Sequence, residues 1–237
     1  MYKKEQYLTE INGEPTEEEI NLLVLKIYDQ VCRNKFDEPG FSHIKLCYEI
    51  ESKEFRVLTI KLIEKLNKVY FENRKEVLKC ITMGRYDQKE TTKFHLDGGP
   101  DESYLVLGYE PSEIKSELSL ADYSLAAFEM NLSPKDFLLN HNPMFSQGEE
   151  LIKPYITDLI YFDEKQTNLL FVNNSSMSFD DKQSSLGVLH KAKIVQLFPD
   201  KTRVINSIQI GKSVELKSDL QLSSFIDLGI ISRKPYE

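Results

Sequence analysis

The chain changes texture once, near residue 77, and that change limits its fold more than any other feature. Beyond it the sequence breaks into short β-prone runs separated by turn residues, the pattern of a sandwich or barrel rather than of alternating βαβ units. About eight runs read as strands: 79–85, 91–96, 103–109, 123–129, 156–162, 168–172, 188–196 and 203–210. Two stretches interrupt them. Residues 131–154 carry Asn, Pro and Gly and read as an insertion with a short helix after Ser133-Pro134. Residues 173–185 are polar, too long for a tight hairpin, and read as a mobile loop.

Before residue 77 the period is helical. Ile20, Leu23, Val24, Ile27 and Val31 recur on one face of a helix over 16–32, which Thr16 and Glu19 open as a capping box. Phe55, Leu58, Leu62, Leu66 and Val69 mark a second helix over 52–74. Between them a Pro39-Gly40 turn precedes a short alternating run that reads as a strand. The expected architecture is one domain over 1–237, mainly β with N-terminal helices. It comprises helical support over 1–78, a double-stranded β-helix core (a cupin-like jelly roll) over 79–215, and a C-terminal extension over 216–237.

Composition removes several functions. A formal net charge of -8 leaves little scope for a broad basic face, so nucleic acid is not an expected partner. Cys32, Cys47 and Cys80 are odd in number, widely spaced and form no CxxC pair, which argues against both a disulfide framework and a zinc knuckle. No run approaches the ~18 apolar residues of a membrane span, and the N-terminus has no apolar targeting segment, so a cytoplasmic protein is expected. The oligomeric state is left open.

The stretch TTKFHLDGGPDESYLVLGYEP, residues 91–111, carries the chemistry. Residues i and i+2 of a strand project to one face, so His95 and Asp97 present an imidazole and a carboxylate toward a common point. A third donor has to come from another strand, and SSLGVLHKAKIVQLF supplies His190 in an apolar setting. Two histidines and one carboxylate form the facial triad of non-haem iron sites, with coordination positions left open. Arg203 lies 13 residues beyond His190, at the start of the next β-prone run, and its planar fork suits a carboxylate. Taken singly, His95 reads equally well as a strand-end histidine, Asp97 as a turn former before Gly98-Gly99, His190 as a core histidine and Arg203 as an ion-paired surface group. Their order and context favour the site. His43 and His141 read as structural or solvated.

On His95-Leu96-Asp97, then His190, then Arg203, the chain resembles the Fe(II)/2-oxoglutarate-dependent oxygenases over about residues 85–210. The resemblance implies Fe(II) held by His95, Asp97 and His190, with 2-oxoglutarate as co-substrate, its distal carboxylate on Arg203. It implies oxidative decarboxylation to succinate and carbon dioxide, with dioxygen hydroxylating an unactivated C–H bond of a small molecule such as an amino acid or biosynthetic intermediate. Many members place Ser or Thr two residues after the arginine, where Ile205 stands here; Ser207 shares the strand face of Arg203 by parity, as does Gln209. Tyr109, with Tyr86 and Tyr104, is a candidate replacement for a tyrosine that some members carry before the first histidine. Asp97 occupies the position that related halogenases give to a small residue, so halogenation is not expected. Substrate contacts are expected from Arg85, Tyr86, the 98–103 turn and the 173–185 loop acting as a lid. Two readings compete: a cupin-like metal-dependent isomerase or epimerase, and a non-catalytic jelly-roll binding protein.

Overall fold

The computed structural model describes residues 2–159, 162, 164–179, 184–212 and 221–232. The described elements are α1 (Lys4–Tyr7), β1 (Leu8–Ile11), α2 (Glu17–Val31), β2 (Phe41–Leu46), α3 (Ser52–Arg74), β3 (Lys79–Asp87), β4 (Ser103–Tyr109), β5 (Lys115–Ala121), α4 (Tyr123–Glu129), α5 (Pro134–Asn140), α6 (Ser146–Ile152), β6 (Ile156–Leu159), β7 (Thr167–Asn173), β8 (Leu189–Gln196), β9 (Val204–Gly211) and β10 (Ile231–Ser232). They build two sheets, one of seven strands in the order β1-β2-β7-β4-β9-β3-β10 and one of three in the order β6-β5-β8. The sheets are not closed into a barrel. Pairing is antiparallel except at the two ends of the large sheet, where β1 joins β2 and β10 joins β3 in parallel.

Strand alternation gives the large sheet two apolar faces. One carries Ile44, Tyr104, Val106, Phe171 and Ile208 against Ile27 and Val31 of α2 and Phe55, Leu62 and Leu66 of α3. Thr16 caps α2 as the capping-box pattern predicts, its hydroxyl accepting from the Glu19 amide while Glu19 accepts from the Thr16 amide. The other face carries Phe41, Leu105, Leu107, Tyr109, Leu170, Val172 and Ile205 against Leu118, Leu120, Leu159 and Ala192 of the small sheet. Each such side chain contributes about 1.5–3 kcal/mol on burial, so both faces hold the sheets in place. His190 lies on this second, inter-sheet face, opposite Leu120 on β5, with His95 bridged to it.

Several segments differ from what the sequence leads one to expect. Residues 123–129 form a helix, α4, rather than a strand: the Asp122 side chain accepts from the Leu125 amide as an N-cap, and Ala126 and Ala127 bury a helical stripe against α5. β5, for which the sequence suggests no strand, supplies the middle of the small sheet. Residues 91–96 do not form a strand; the segment runs beside β8 and closes only one bridge, His95 to His190. The N-terminal segment is more than helical support, because β1 and β2 extend the large sheet. The insertion carries a second helix, α6, besides the expected one after Ser133-Pro134. The part of the C-terminal extension at 221–232 docks through buried Phe225 and through β10; its residues 216–220 and 233–237 lie outside the described ones.

The Pro39-Gly40 turn shows why a glycine stands there. Gly40 has φ 78°, and a Cβ on it would lie 2.7 Å from a Val188 methyl and 2.8 Å from Arg33 Nε. The turn is thus packed against the segment that leads into His190.

Candidate metal centre

His95 and His190 face each other as a hydrogen-bonded antiparallel pair, each amide donating to the other's carbonyl at 3.2 Å. Directly opposed residues of such a pair project to one face, and the two rings lie 4.2 Å apart between centroids. Two residues on, Asp97 brings Oδ1 to 3.4 Å from His95 Nε2 and 3.8 Å from His190 Nε2. The three donor atoms lie within 4.8 Å of one another. Donors around one small divalent cation at metal–ligand distances near 2.1 Å stand roughly 3 Å apart, so the two distances to Asp97 need to close by under an ångström and the donors as a set by no more than about 2 Å. The residues present therefore fit a metal ion.

The protonation pattern favours the same reading. His95 Nδ1 lies 2.6 Å from the Lys93 carbonyl oxygen, which can only accept, so Nδ1 carries the proton and Nε2 faces Asp97. Contact with the Asp97 carboxylate raises the His95 pKa, with the Lys93 carbonyl adding to it against the effect of burial. A second proton at Nε2 occupies the place a metal would take. His190 is pushed down to about 4, first by burial and then by the neighbouring His95, so it stands neutral with a lone pair to give. Its Nδ1 is buried without a hydrogen-bond partner, and the ring is held by its backbone bridge and by packing. Gly99 lies close on the sheet, where a Cβ would collide with the Gln209 side-chain amide, whereas Gly98 has open space beside it.

At the other end of the inter-sheet face, Arg203 is 3% exposed. Its Nε donates to Ser116 Oγ at 3.0 Å and its Nη1 to the Gln88 carbonyl at 3.1 Å, which leaves Nη2 as a buried donor without a hydrogen-bond partner. The guanidinium lies 5.2 Å over the Tyr109 ring. Burial pushes the Tyr109 phenol up to about 12 against the lowering influence of Arg203, and the Asp97 carboxylate adds a further upward push. Tyr109 thus lies within electrostatic reach of both the guanidinium and the metal-side carboxylate. Beside Arg203 and Tyr109 is a cavity of about 20 Å³, room for one small group.

The structure brings His95, Asp97 and His190 together, and it brings Arg203 to Tyr109. Ser207 shares their face, opposite Leu107 on β4 and Gly84 on β3, but lies roughly 13 Å along β9 from Arg203 by strand rise and makes no contact with it. Two expected substrate contacts change place. Arg85 points to the helical face, where it meets Glu110 and Ser52. The 173–185 loop is pinned at both shoulders, Asn173, Asn174, Ser175, Ser184 and Ser185 being buried, while 180–183 lie outside the described residues. His43 is buried on the inter-sheet face and bonded to Asn168, and His141 caps α5. Sequence reasoning missed Asn174, whose side chain meets the Asp97 backbone, and Ser116, which orients Arg203. No signal marks Asn174 beyond its place in a polar run directly after an apolar strand. Among the described residues, no helix is long and apolar enough to cross a membrane.

The chain matches no protein-family model and no curated protein.

Proposed function

We propose that this chain is an Fe(II)/2-oxoglutarate-dependent oxygenase that hydroxylates a small molecule, with its two facing sheets serving as the halves of a double-stranded β-helix. The observation that carries the reading is a three-donor group within 4.8 Å on the same inter-sheet face as a buried guanidinium with an unmatched arm. A cation buried at 3% exposure without a carboxylate partner is costly unless an anion joins it, and 2-oxoglutarate is such an anion. This favours the oxygenase over a non-catalytic jelly roll, in which Arg203 has no such duty. It also favours it over a metal-dependent isomerase, which needs no second anchor for a dicarboxylate.

When bound, iron with 2-oxoglutarate and dioxygen supplies the oxidising power that replaces a C–H bond with C–OH and releases succinate and carbon dioxide. The chain's own residues do the rest. The Lys93 carbonyl fixes the His95 tautomer so that Nε2, facing Asp97, would be the atom to hold an ion. Burial holds His190 neutral and ready to ligate at neutral pH. Arg203 offers one arm rather than a two-pronged fork, since Ser116 and Gln88 occupy the others. Tyr109, kept protonated, is placed to add a hydroxyl donor beside that arm. The cavity at Arg203 has room for about one water, so binding the co-substrate, its carboxylate end included, requires the surrounding side chains to part. Apolar Leu105, Leu107, Leu120 and Val188 pack behind the site, while the Asp97 and His95 side chains remain 40% and 27% exposed, so a bound substrate would complete the exclusion of water.

The test is anaerobic. Addition of Fe(II) and then 2-oxoglutarate to the metal-free protein should produce the weak visible charge-transfer absorption of an iron–2-oxoacid chelate, and admission of air should release succinate. Absence of both the band and succinate sinks the oxygenase reading.

A further inference from the structure

We propose that Asn174 is the positioning residue that sets where the Asp97 carboxylate stands relative to the two imidazoles. The proposal rests on the reading of His95, Asp97 and His190 as metal ligands and adds to it a residue outside that set.

The argument begins with how the two-residue step from His95 to Asp97 is held. His95 belongs to the small sheet: its amide and carbonyl are both taken by His190 of β8. Three residues earlier, the Thr92 amide donates to the Ala192 carbonyl and the Ala192 amide to Thr92 Oγ1, so the approach lies along β8. At Asp97 the attachment passes to the large sheet. Asn174 stands one residue beyond the end of β7, and its amide donates to the Ser103 carbonyl at 2.9 Å, which carries the β4–β7 ladder one step further. From there its side chain crosses to Asp97. Asn174 Oδ1 accepts from the Asp97 amide at 2.9 Å, and Nδ2 donates to the Asp97 carbonyl at 2.8 Å.

A carboxamide has one acceptor and one donor side by side, the same pair that a neighbouring strand would present. Asn174 thus substitutes for a strand at the one place where the chain leaves β8. It is itself fixed: it is 3% exposed, and Nδ2 also donates to Ser103 Oγ at 3.0 Å. The ligand set therefore spans both sheets. The histidines are tied to the small sheet and the carboxylate to the large one, and Asn174 sets the gap between them. Without it, Gly98 and Gly99 immediately downstream leave the Asp97 backbone free to swing, because glycine backbone is unrestrained.

The neighbouring Asn173 supplies the control. It is equally buried, at 0% exposure, but its Nδ2 donates to the Val31 carbonyl and to Ser185 Oγ, away from the ligands. The experiment titrates metal-free protein with Co(II), followed by visible absorption, alongside thermal unfolding. Asn174→Ala should weaken Co(II) binding roughly 10–100-fold, as loss of an outer-shell contact to a ligand commonly does. Asn173→Ala should lower the unfolding temperature and leave Co(II) affinity as in the wild type, a split that a purely structural role for Asn174 does not produce. Should Asn174→Ala fail to fold, Asn174→Asp carries the test, since it keeps an acceptor for the Asp97 amide but loses the donor to its carbonyl. A folded Asn174 variant that binds Co(II) within about threefold of wild type overturns the proposal. Wild-type protein that binds no Co(II) overturns the metal reading itself, and the positioning role with it, and so separates the two failures.

Discussion

His43, buried, and His190, half-buried, are two histidines on the inter-sheet face with the same shifted acidity and opposite surroundings. Each is pushed down to about 4, and burial is the leading cause in both. His43 gives its Nε2 to Asn168 Oδ1 at 2.9 Å, packs 5.3 Å from the Phe162 ring, and feels the charges of Lys45 and Glu10 at the rim. His190 has a second imidazole at 4.2 Å, a carboxylate at 3.8 Å and an unpartnered Nδ1. A lowered pKa alone therefore does not mark a functional histidine. What distinguishes His190 is that the groups around it are other potential ligands, so its stabilisation is completed only by something that joins them.

The largest expected effect follows directly. His190→Ala should abolish Co(II) binding and succinate formation, because it removes one of three donors, while a His43→Leu variant should bind Co(II) as wild type. Arg203→Ala should instead raise the 2-oxoglutarate requirement more than it weakens metal binding. Saturating metal should stabilise wild type and His43→Leu by about 2.7 kcal/mol at a hundred times Kd, and should leave His190→Ala unmoved. Thermal unfolding with and without metal, and with chelator, reads all of these. Equal metal loss in His190→Ala and Arg203→Ala would break the division between the two ends of the face.

A pH series sharpens the comparison from the other side. The folded state binds a proton at His43 only near pH 4, against an ordinary 6.5, so between those values the unfolded chain binds more protons and stability falls as pH falls. Complete passage through that window amounts to about 3 kcal/mol, of which about 2 kcal/mol is lost by roughly pH 5. His190 acts in the same direction when metal is absent. His95, raised rather than lowered, acts in the opposite one, contributing stability that is present at low pH and lost as pH rises through its folded value. His43→Leu should be less stable than wild type near neutrality by about 1–3 kcal/mol, since Asn168 Oδ1 loses its partner. The variant should draw level as pH falls toward 5, because its leucine has no proton to take up. Urea unfolding of metal-free protein at several pH values measures this, and parallel curves for the two proteins would refute the assignment of the pH dependence to His43.

The sequence shows part of this contrast and hides part. The ligating residue types and their order are readable because they depend on composition and spacing. The two N-terminal helices are readable for the same reason. The strand parity expected to pair His95 with Asp97, by contrast, is not what joins them, since 91–96 form no strand and the pair is held by one bridge to His190 and by Asn174. Residues 123–129 mislead because their apolar side chains fit either period, and the deciding contact is the Asp122 cap, which also meets Arg33 from α2's far end. The run from Asn173 to Ser175 looks like the start of a mobile loop because its composition is polar. Its partners are Val31, Asp97 and Ser103, which lie 142, 77 and 71 or 72 residues away, and burial with such partners cannot be read from local sequence. Ser207 shows the reverse error. Parity places it correctly on the face of Arg203, but parity carries no distance along the strand.

The smallest effect tests the far end of the face by itself. Tyr109→Phe keeps the ring that lies 5.2 Å under the Arg203 guanidinium and removes only the hydroxyl. If that hydroxyl helps hold the co-substrate carboxylate, its loss removes one hydrogen bond, worth about 1 kcal/mol, and raises the half-saturating 2-oxoglutarate concentration by about fivefold. Co(II) affinity should stay at the wild-type value, since Tyr109→Phe leaves all three donors in place and the phenol's influence on Asp97 is electrostatic. The hydroxyl is also the group that senses both Arg203 and Asp97, so this substitution asks whether the two ends act separately. A matching loss of metal affinity would show that they do not, and that Tyr109 belongs to the metal centre as much as to the anchor.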